Sequence, residues 1–185
     1  SRRVARGPDG RGLQSRRKAL SFAALQGVTD ATSAATFTQS IEAMPRKDAY
    51  RVAVVGATGV AGQQFLAALG NHPWFKLTRL AASERSSGKT YKEAITDASS
   101  GATRWYCDQP CPADFLKLNV ELAKDLVLDD IDIVFTALES DAAKEVEPLY
   151  AKKVPVISTA SAFRYEQDVP IFLPGVNADH AALID

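Results

Sequence analysis

Tyr50-Arg51-Val52-Ala53-Val54-Val55-Gly56-Ala57-Thr58-Gly59-Val60-Ala61-Gly62 is the stretch that decides the fold. Val52, Val54 and Val55, with Ala53 among them, make a short β-branched run of the kind found in strands covered on both faces. Gly56, Gly59 and Gly62 follow at once. A strand, a glycine-rich turn and a helix in that order form the start of a dinucleotide-binding unit, in which each glycine has its own task. Gly56 allows the tight turn, Gly59 lets the backbone approach a pyrophosphate, and Gly62 lets the helix pack close to the strand. The helix N-terminus then offers N–H groups and partial positive charge to the phosphates. A bare connector between strand and helix is the alternative, and the placement between those two elements favours the binding reading.

Downstream, Ala61, Phe65, Leu66 and Leu69 recur at helical spacing, and Gly70-Asn71-His72-Pro73 stops the helix with glycine and proline. His72 beside that stop reads as a helix-end residue. Phe75 to Ala82 is expected to be a second strand, which completes one βαβ unit. Asp130 to Leu138 reads as a further strand ending in small residues. Ser140 is expected to cap the helix after it, with Asp141 and Glu145 in its early turns and Pro148 able to kink it. Val154 to Ser158 makes another strand. This alternation predicts an α/β doubly wound parallel sheet, a Rossmann-like domain over residues 49–185. Between them, residues 90–128 hold loop signals at Ser99-Ser100-Gly101 and Pro110-Cys111-Pro112, and Phe115 to Leu128 fits helix or strand equally.

The end of the second strand is where such a fold meets the adenine ribose, and here it reads Ala82-Ser83-Glu84-Arg85-Ser86-Ser87-Gly88-Lys89. An acid there binds a free 2′-hydroxyl and favours NAD, whereas arginine with hydroxyls cradles a 2′-phosphate and favours NADP. Both types are present. Arg85 among Ser83, Ser86 and Ser87 favours NADP, with Glu84 directed to solvent. Arg164 follows a strand end on the ligand face and is suited to holding an anion, or else to a surface ion pair.

Charge is unevenly spread. The 185 residues are neutral overall, yet residues 1–48 hold nine Lys or Arg against four acids, and residues 49–185 hold thirteen against eighteen. The basic residues of the body neither cluster nor interleave with aromatics, so nucleic acid is not an expected partner. The first 48 residues, rich in Arg, Ser, Ala and Thr, match the composition of an organelle transit peptide and point to a plastid or mitochondrion, with the cytoplasm as the alternative. Ser15-Arg16-Arg17-Lys18 before Phe22-Ala23-Ala24-Leu25 has a twin-arginine look, but its apolar core is short. A tail so poor in apolar residues is expected to need protein partners if it is ordered. No apolar run reaches the roughly 20 residues that span a bilayer. Cys107 and Cys111 stand four apart without a nearby histidine, so neither a zinc set nor a disulfide is expected.

Gly56-Ala57-Thr58-Gly59-Val60-Ala61-Gly62, His72-Pro73-Trp74-Phe75, the Ala82 to Lys89 run, Asp132 to Leu138, Val156 to Arg164 and Asp168 to Asn177 together resemble the N-terminal half of aspartate-semialdehyde dehydrogenase over about residues 50–185. N-acetyl-glutamyl-phosphate reductase, related in fold and chemistry, is the second choice, and the Asp168-Val169-Pro170 to Asn177 ending is more similar to the former. The resemblance implies NADPH-dependent reduction of aspartyl phosphate, with inorganic phosphate the second small partner. It implies that Thr58, Gly59, Val60 and Ala61 touch the pyrophosphate, that Ser83, Arg85, Ser86 and Ser87 surround the 2′-phosphate, and that Ala137 and Leu138 line the floor beside the nicotinamide. Arg164 would bind the substrate phosphate.

Two positions depart from the family pattern: Thr159 stands where asparagine is frequent, and Gly175 where an acid precedes the Val176-Asn177 pair. The family nucleophile is a cysteine in an Asn-Pro-Asn-Cys context a short way beyond that pair, and neither Cys107 nor Cys111 lies in such a context. His180 is not in the context of the family's acid and base. The residues up to Asp185 are therefore expected to bind cofactor but to hold no catalytic residue. Two readings follow: the NADP-binding domain of such an enzyme, or a non-catalytic Rossmann-fold subunit, a pseudoenzyme, in a large organellar assembly.

Overall fold

The computed structural model divides the chain after Pro45, and the part described is residues 48–173 with Val176, Asn177 and His180. The expectations for the N-terminal tail, and that for Gly175, therefore lie outside the described residues. Five strands form one parallel sheet: β1 (Tyr50–Val55), β2 (Phe75–Ala82), β3 (Val120–Leu122), β4 (Ile133–Thr136) and β5 (Val156–Ser158), in the spatial order β3-β2-β1-β4-β5. Helix α1 (Val60–Leu69) crosses from β1 to β2, and α3 (Ser140–Ala151) from β4 to β5, while the short α2 (Tyr91–Ile95) precedes β3. This is the doubly wound sheet that the strand and helix periods imply.

Alternation along β1 builds two cores. Val52 and Val54 face one side, where Leu66 and Leu69 of α1, Tyr91 and Ile95 of α2, and Leu80 and Phe135 meet them. Ala53 and Val55 face the other, against Val146 and Tyr150 of α3 and Leu126, Leu128 and Ile131. All four strand residues are fully buried. Each such valine contributes roughly 1.5–3 kcal/mol on leaving water, which is why a six-residue strand can anchor both layers.

Several local expectations change in detail. Strand β4 is shorter than the Asp130 to Leu138 run, because Asp132 accepts from the Arg51 N–H at 2.7 Å and closes the strand's start. Residues 115–128 resolve into neither a helix nor a long strand: 3-10 turns at Phe115–Lys117 and Ala123–Asp125 flank β3. Ser140 does not cap α3. Glu139 is the N-cap, and the Ser140 hydroxyl instead lies 2.8 Å from that of Ser161. Helix α2 went unread in the sequence, although Thr90 and Glu93 form a complete capping box at its start. Gly70 ends α1 in a right-handed conformation, so its glycine character answers to space: a Cβ there would stand 2.9 Å from Pro112. His72 is a helix-end residue, its Nδ1 accepting from the Trp74 and Phe75 N–H groups while its ring stacks on Phe75 at 4.6 Å.

Gly62 is the contact between α1 and the turn before it. A Cβ at this position would lie 2.2 Å from the Gly56 carbonyl oxygen, which is backbone and cannot swing aside. Gly62→Ala is expected to destabilise the domain by about 1–3 kcal/mol through overpacking. An unaltered midpoint in urea unfolding would show instead that helix and turn can separate without cost.

Candidate functional site

The turn after β1 stands at the centre of the C-terminal edge of the sheet, where β1 and β4 send their crossovers in opposite directions. Ligands of open α/β sheets bind in the crevice at such a switch point. Gly56 makes the turn with φ +81°, a conformation that glycine adopts freely, and a Cβ there would meet the Ala137 carbonyl oxygen at 2.2 Å. The Ala137 N–H donates to Val55 O at 2.9 Å, so β4 and the turn are clamped together.

Gly59 differs from its two neighbours in the motif. Its φ of −80° is ordinary, and a Cβ would touch nothing nearer than 3.5 Å. No contact among the described residues requires a glycine here, so the open space over Gly59 is available to a bound group. It is also the N-cap of α1 and has no side chain to satisfy the helix start. Among the described residues, no hydrogen bond uses the N–H groups of Thr58, Val60, Ala61 or Gly62, and the first helical turn carries no acid. Free N–H groups and the positive end of the helix dipole converge there, which suits an anion.

A groove of about 420 Å³ has walls that include Ser83, Glu84 and Arg85 after β2, Lys124 after β3, and Leu138 with Val146 from the α3 side, and it reaches the turn through Leu138, which packs beside Gly56. Ala82, Leu138 and Val146 give it an apolar floor, and Arg85 and Lys124 supply cations that pair with no carboxylate among the described residues. Glu84 is exposed, on the same wall as Arg85. The remaining serines are less available. Ser86 is 3% exposed, and the Ser87 hydroxyl already donates to Glu84 O at 3.2 Å. Both their N–H groups bond Ser83 O, which winds the loop into a tight turn and directs Ser83 and Arg85 outward.

Leu138 lines this groove together with Arg85 and also stands next to the turn, its Cδ2 3.3 Å from where a Cβ at Gly56 would lie. Arg164 is exposed in the turn after β5, with its guanidinium 3.5 Å from Thr159 O and no carboxylate partner among the described residues. It belongs to the same edge of the sheet but does not line the groove, being carried by the strand on the far side of β4.

Sequence reasoning missed two side chains behind the turn. Tyr91, fully buried, donates its hydroxyl to Ala57 O at 2.8 Å. Gln63, also fully buried, donates to Thr58 O at 3.3 Å and Arg104 O at 2.7 Å, and accepts from the Tyr106 N–H at 2.7 Å. Burial pushes the Tyr91 hydroxyl well above the usual tyrosine range, so it remains a donor at any ordinary pH. Burial likewise pushes the Cys111 thiol up to about 11 and raises that of Cys107, so both are thiols at neutral pH and neither has the lowered pKa of an activated nucleophile. No group of three or more potential metal ligands occurs among the described residues, and no helix there is long and apolar enough to cross a membrane.

Comparison with known proteins agrees with this geometry. The model of the semialdehyde dehydrogenase NAD-binding domain matches residues 51–184. The chain is 44% identical over 144 residues to the aspartate-semialdehyde dehydrogenase of Archaeoglobus fulgidus, covering 74% of this chain and 37% of that protein. To the enzyme of the same name from Methanothermobacter thermautotrophicus it is 43% identical over 134 residues, covering 72% and 36%. The crystal structure of aspartate semialdehyde dehydrogenase with NADP from Candida albicans superposes with a TM-score of 0.65 at 33% identity, over 72% of this chain and 36% of that one. The chain thus spans little more than a third of the length of these relatives. With a sheet, a glycine turn and a matched region that all coincide, the chain belongs to the semialdehyde dehydrogenase NAD-binding domain family.

Proposed function

We propose that this domain binds NADPH for an aspartate-semialdehyde dehydrogenase, the enzyme that reduces aspartyl phosphate to the semialdehyde. The observation that carries the reading is the vacant room over Gly59 beside unused N–H groups at the start of α1. A diphosphate fits there: Thr58, Val60 and Ala61 supply N–H donors, and Gly59 supplies the close approach. From that point the groove leads to Arg85 and Ser83, which would hold a 2′-phosphate, with Lys124 as a further cation on its wall. Leu138 and Val146 would pack against the adenosine. NADPH, once bound, supplies a hydride.

The chain's own residues bind and orient in this scheme. Arg164, exposed on the other side of the switch point, is suited to hold the phosphate of an acyl phosphate or free phosphate. Covalent chemistry through a cysteine needs a thiolate, which the raised thiols of Cys107 and Cys111 do not provide. No catalytic residue is assigned among the described residues.

Two variants test the cofactor reading. Gly59→Ala is expected to cost no more than about 1 kcal/mol of unfolding free energy, the size of a weakened N-cap, while it abolishes or strongly weakens NADPH binding in a fluorescence titration. If the variant bound NADPH as well as wild type does, the diphosphate would have to lie elsewhere. Arg85→Ala deletes a charge-assisted contact and is expected to weaken NADPH by roughly tenfold or more, with little change for NADH. Equal losses for both cofactors would refute the 2′-phosphate assignment.

A further inference from the structure

All three carbonyl groups of the turn are drawn inward and held. Gly56 O accepts from the Gly59 N–H at 3.1 Å, within the turn itself. Ala57 O accepts from the Tyr91 hydroxyl, and Thr58 O from the Gln63 amide, so two of the three anchors are side chains that no glycine motif contains. Tyr91 comes from the first turn of α2, 34 residues away, and Gln63 from the second turn of α1.

The direction of these bonds matters because a trans peptide unit points its C=O and its N–H to opposite sides. With Ala57 O turned to the Tyr91 hydroxyl, the N–H of the same unit, that of Thr58, is turned away from the core. With Thr58 O turned to Gln63, no carbonyl oxygen is left at the open side to repel a phosphate. A flipped Ala57–Thr58 unit would put a partial negative charge where an anion has to sit; in the Thr58–Gly59 unit the N–H is spent on Gly56 O, and Gln63 holds the oxygen on the other side of that unit. Gln63 is itself locked, since Arg104 O and the Tyr106 N–H fix which end of its amide is donor and which is acceptor.

We propose that Tyr91 and Gln63 are positioning residues for the diphosphate, holding the Ala57 and Thr58 carbonyl oxygens out of the cradle so that only N–H groups face it. This rests on the reading of the turn as the diphosphate site. It assigns a binding role to two buried residues that would otherwise count only as packed core with satisfied polar atoms.

The test compares three probes on the full chain: NADPH, inorganic pyrophosphate as its competitor, and 2′-AMP, which carries the ribose phosphate but no diphosphate. Tyr91→Phe keeps the ring and removes the hydroxyl. Gln63→Glu keeps the acceptor for the Tyr106 N–H but sets an oxygen against Thr58 O and Arg104 O. Each is expected to weaken NADPH and pyrophosphate by roughly tenfold, the size of one lost hydrogen bond, while 2′-AMP stays within about twofold. Uniform weakening of all three probes, accompanied by a lower melting temperature, would mean a structural role only and overturn the proposal. If Gln63→Glu does not fold, Tyr91→Phe decides alone. Wild-type chain that binds NADPH alongside variants that bind it equally well overturns this inference and leaves the cofactor reading standing; wild-type chain that binds no NADPH overturns both.

Discussion

The structure depends on two backbone contacts too close to admit a side chain. Gly56 lies against the carbonyl of Ala137, and Gly62 lies against the carbonyl of Gly56, with hypothetical Cβ positions 2.2 Å from oxygen in each case. These approaches bring β1, β4 and α1 to one point, and the crevice at the sheet's edge exists because they meet there. Packing follows from this constraint. Helix α1 can lie close enough for Leu66 to be wholly buried against Val52 and Val54 only when no methyl group separates its first turn from the strand end.

The same constraint orders the polar groups. A turn pressed against two strands has no water on its inner side, so every inward carbonyl needs a donor from the protein. Tyr91 and Gln63 meet that need from one side, and the open side keeps its N–H groups unused. An element whose carbonyl groups are bonded and whose N–H groups are free carries a local positive potential without any charged side chain. Arg85 and Lys124 extend that potential along the groove, and Glu84 and Glu145 on the same wall temper it.

How far the sequence foretold this depends on where each partner lies along the chain. Val52 to Gly62 was legible because strand period, turn glycines and helix period are all local, and so was the parallel order that follows from alternating elements. Helix α2 was also legible in principle, since Thr90 and Glu93 stand at capping-box spacing, but a five-residue helix gives little periodicity to notice. Strand β3 has only three residues and borrows its place from β2, with Leu80, Ala81 and Ala82 pairing against it, so no local pattern could separate it from its flanking turns. The bonds from Tyr91 to Ala57 and from Gln63 to Arg104 span 34 and 41 residues, and nothing local marks either side chain as buried and bonded. Ser86 misled by composition: a serine in a polar run reads as a surface ligand, yet the turn that Ser83 O gathers places it inside.

Glu147 has a consequence for the far edge of the sheet. It is 4% exposed, on the inner side of α3, and one carboxylate oxygen accepts from the Thr136 hydroxyl at 2.5 Å and from the Ser158 hydroxyl at 2.7 Å. Strand β5, at three residues, is too short for its own hydrophobic pattern to define how it is aligned with β4. A slip by one residue would turn Ser158 to the opposite face and strand a carboxylate in an apolar interior with half its donors gone. Alignment at this rim is thus written in hydroxyls and one acid, and the segment leading on to Arg164 inherits its starting point from them.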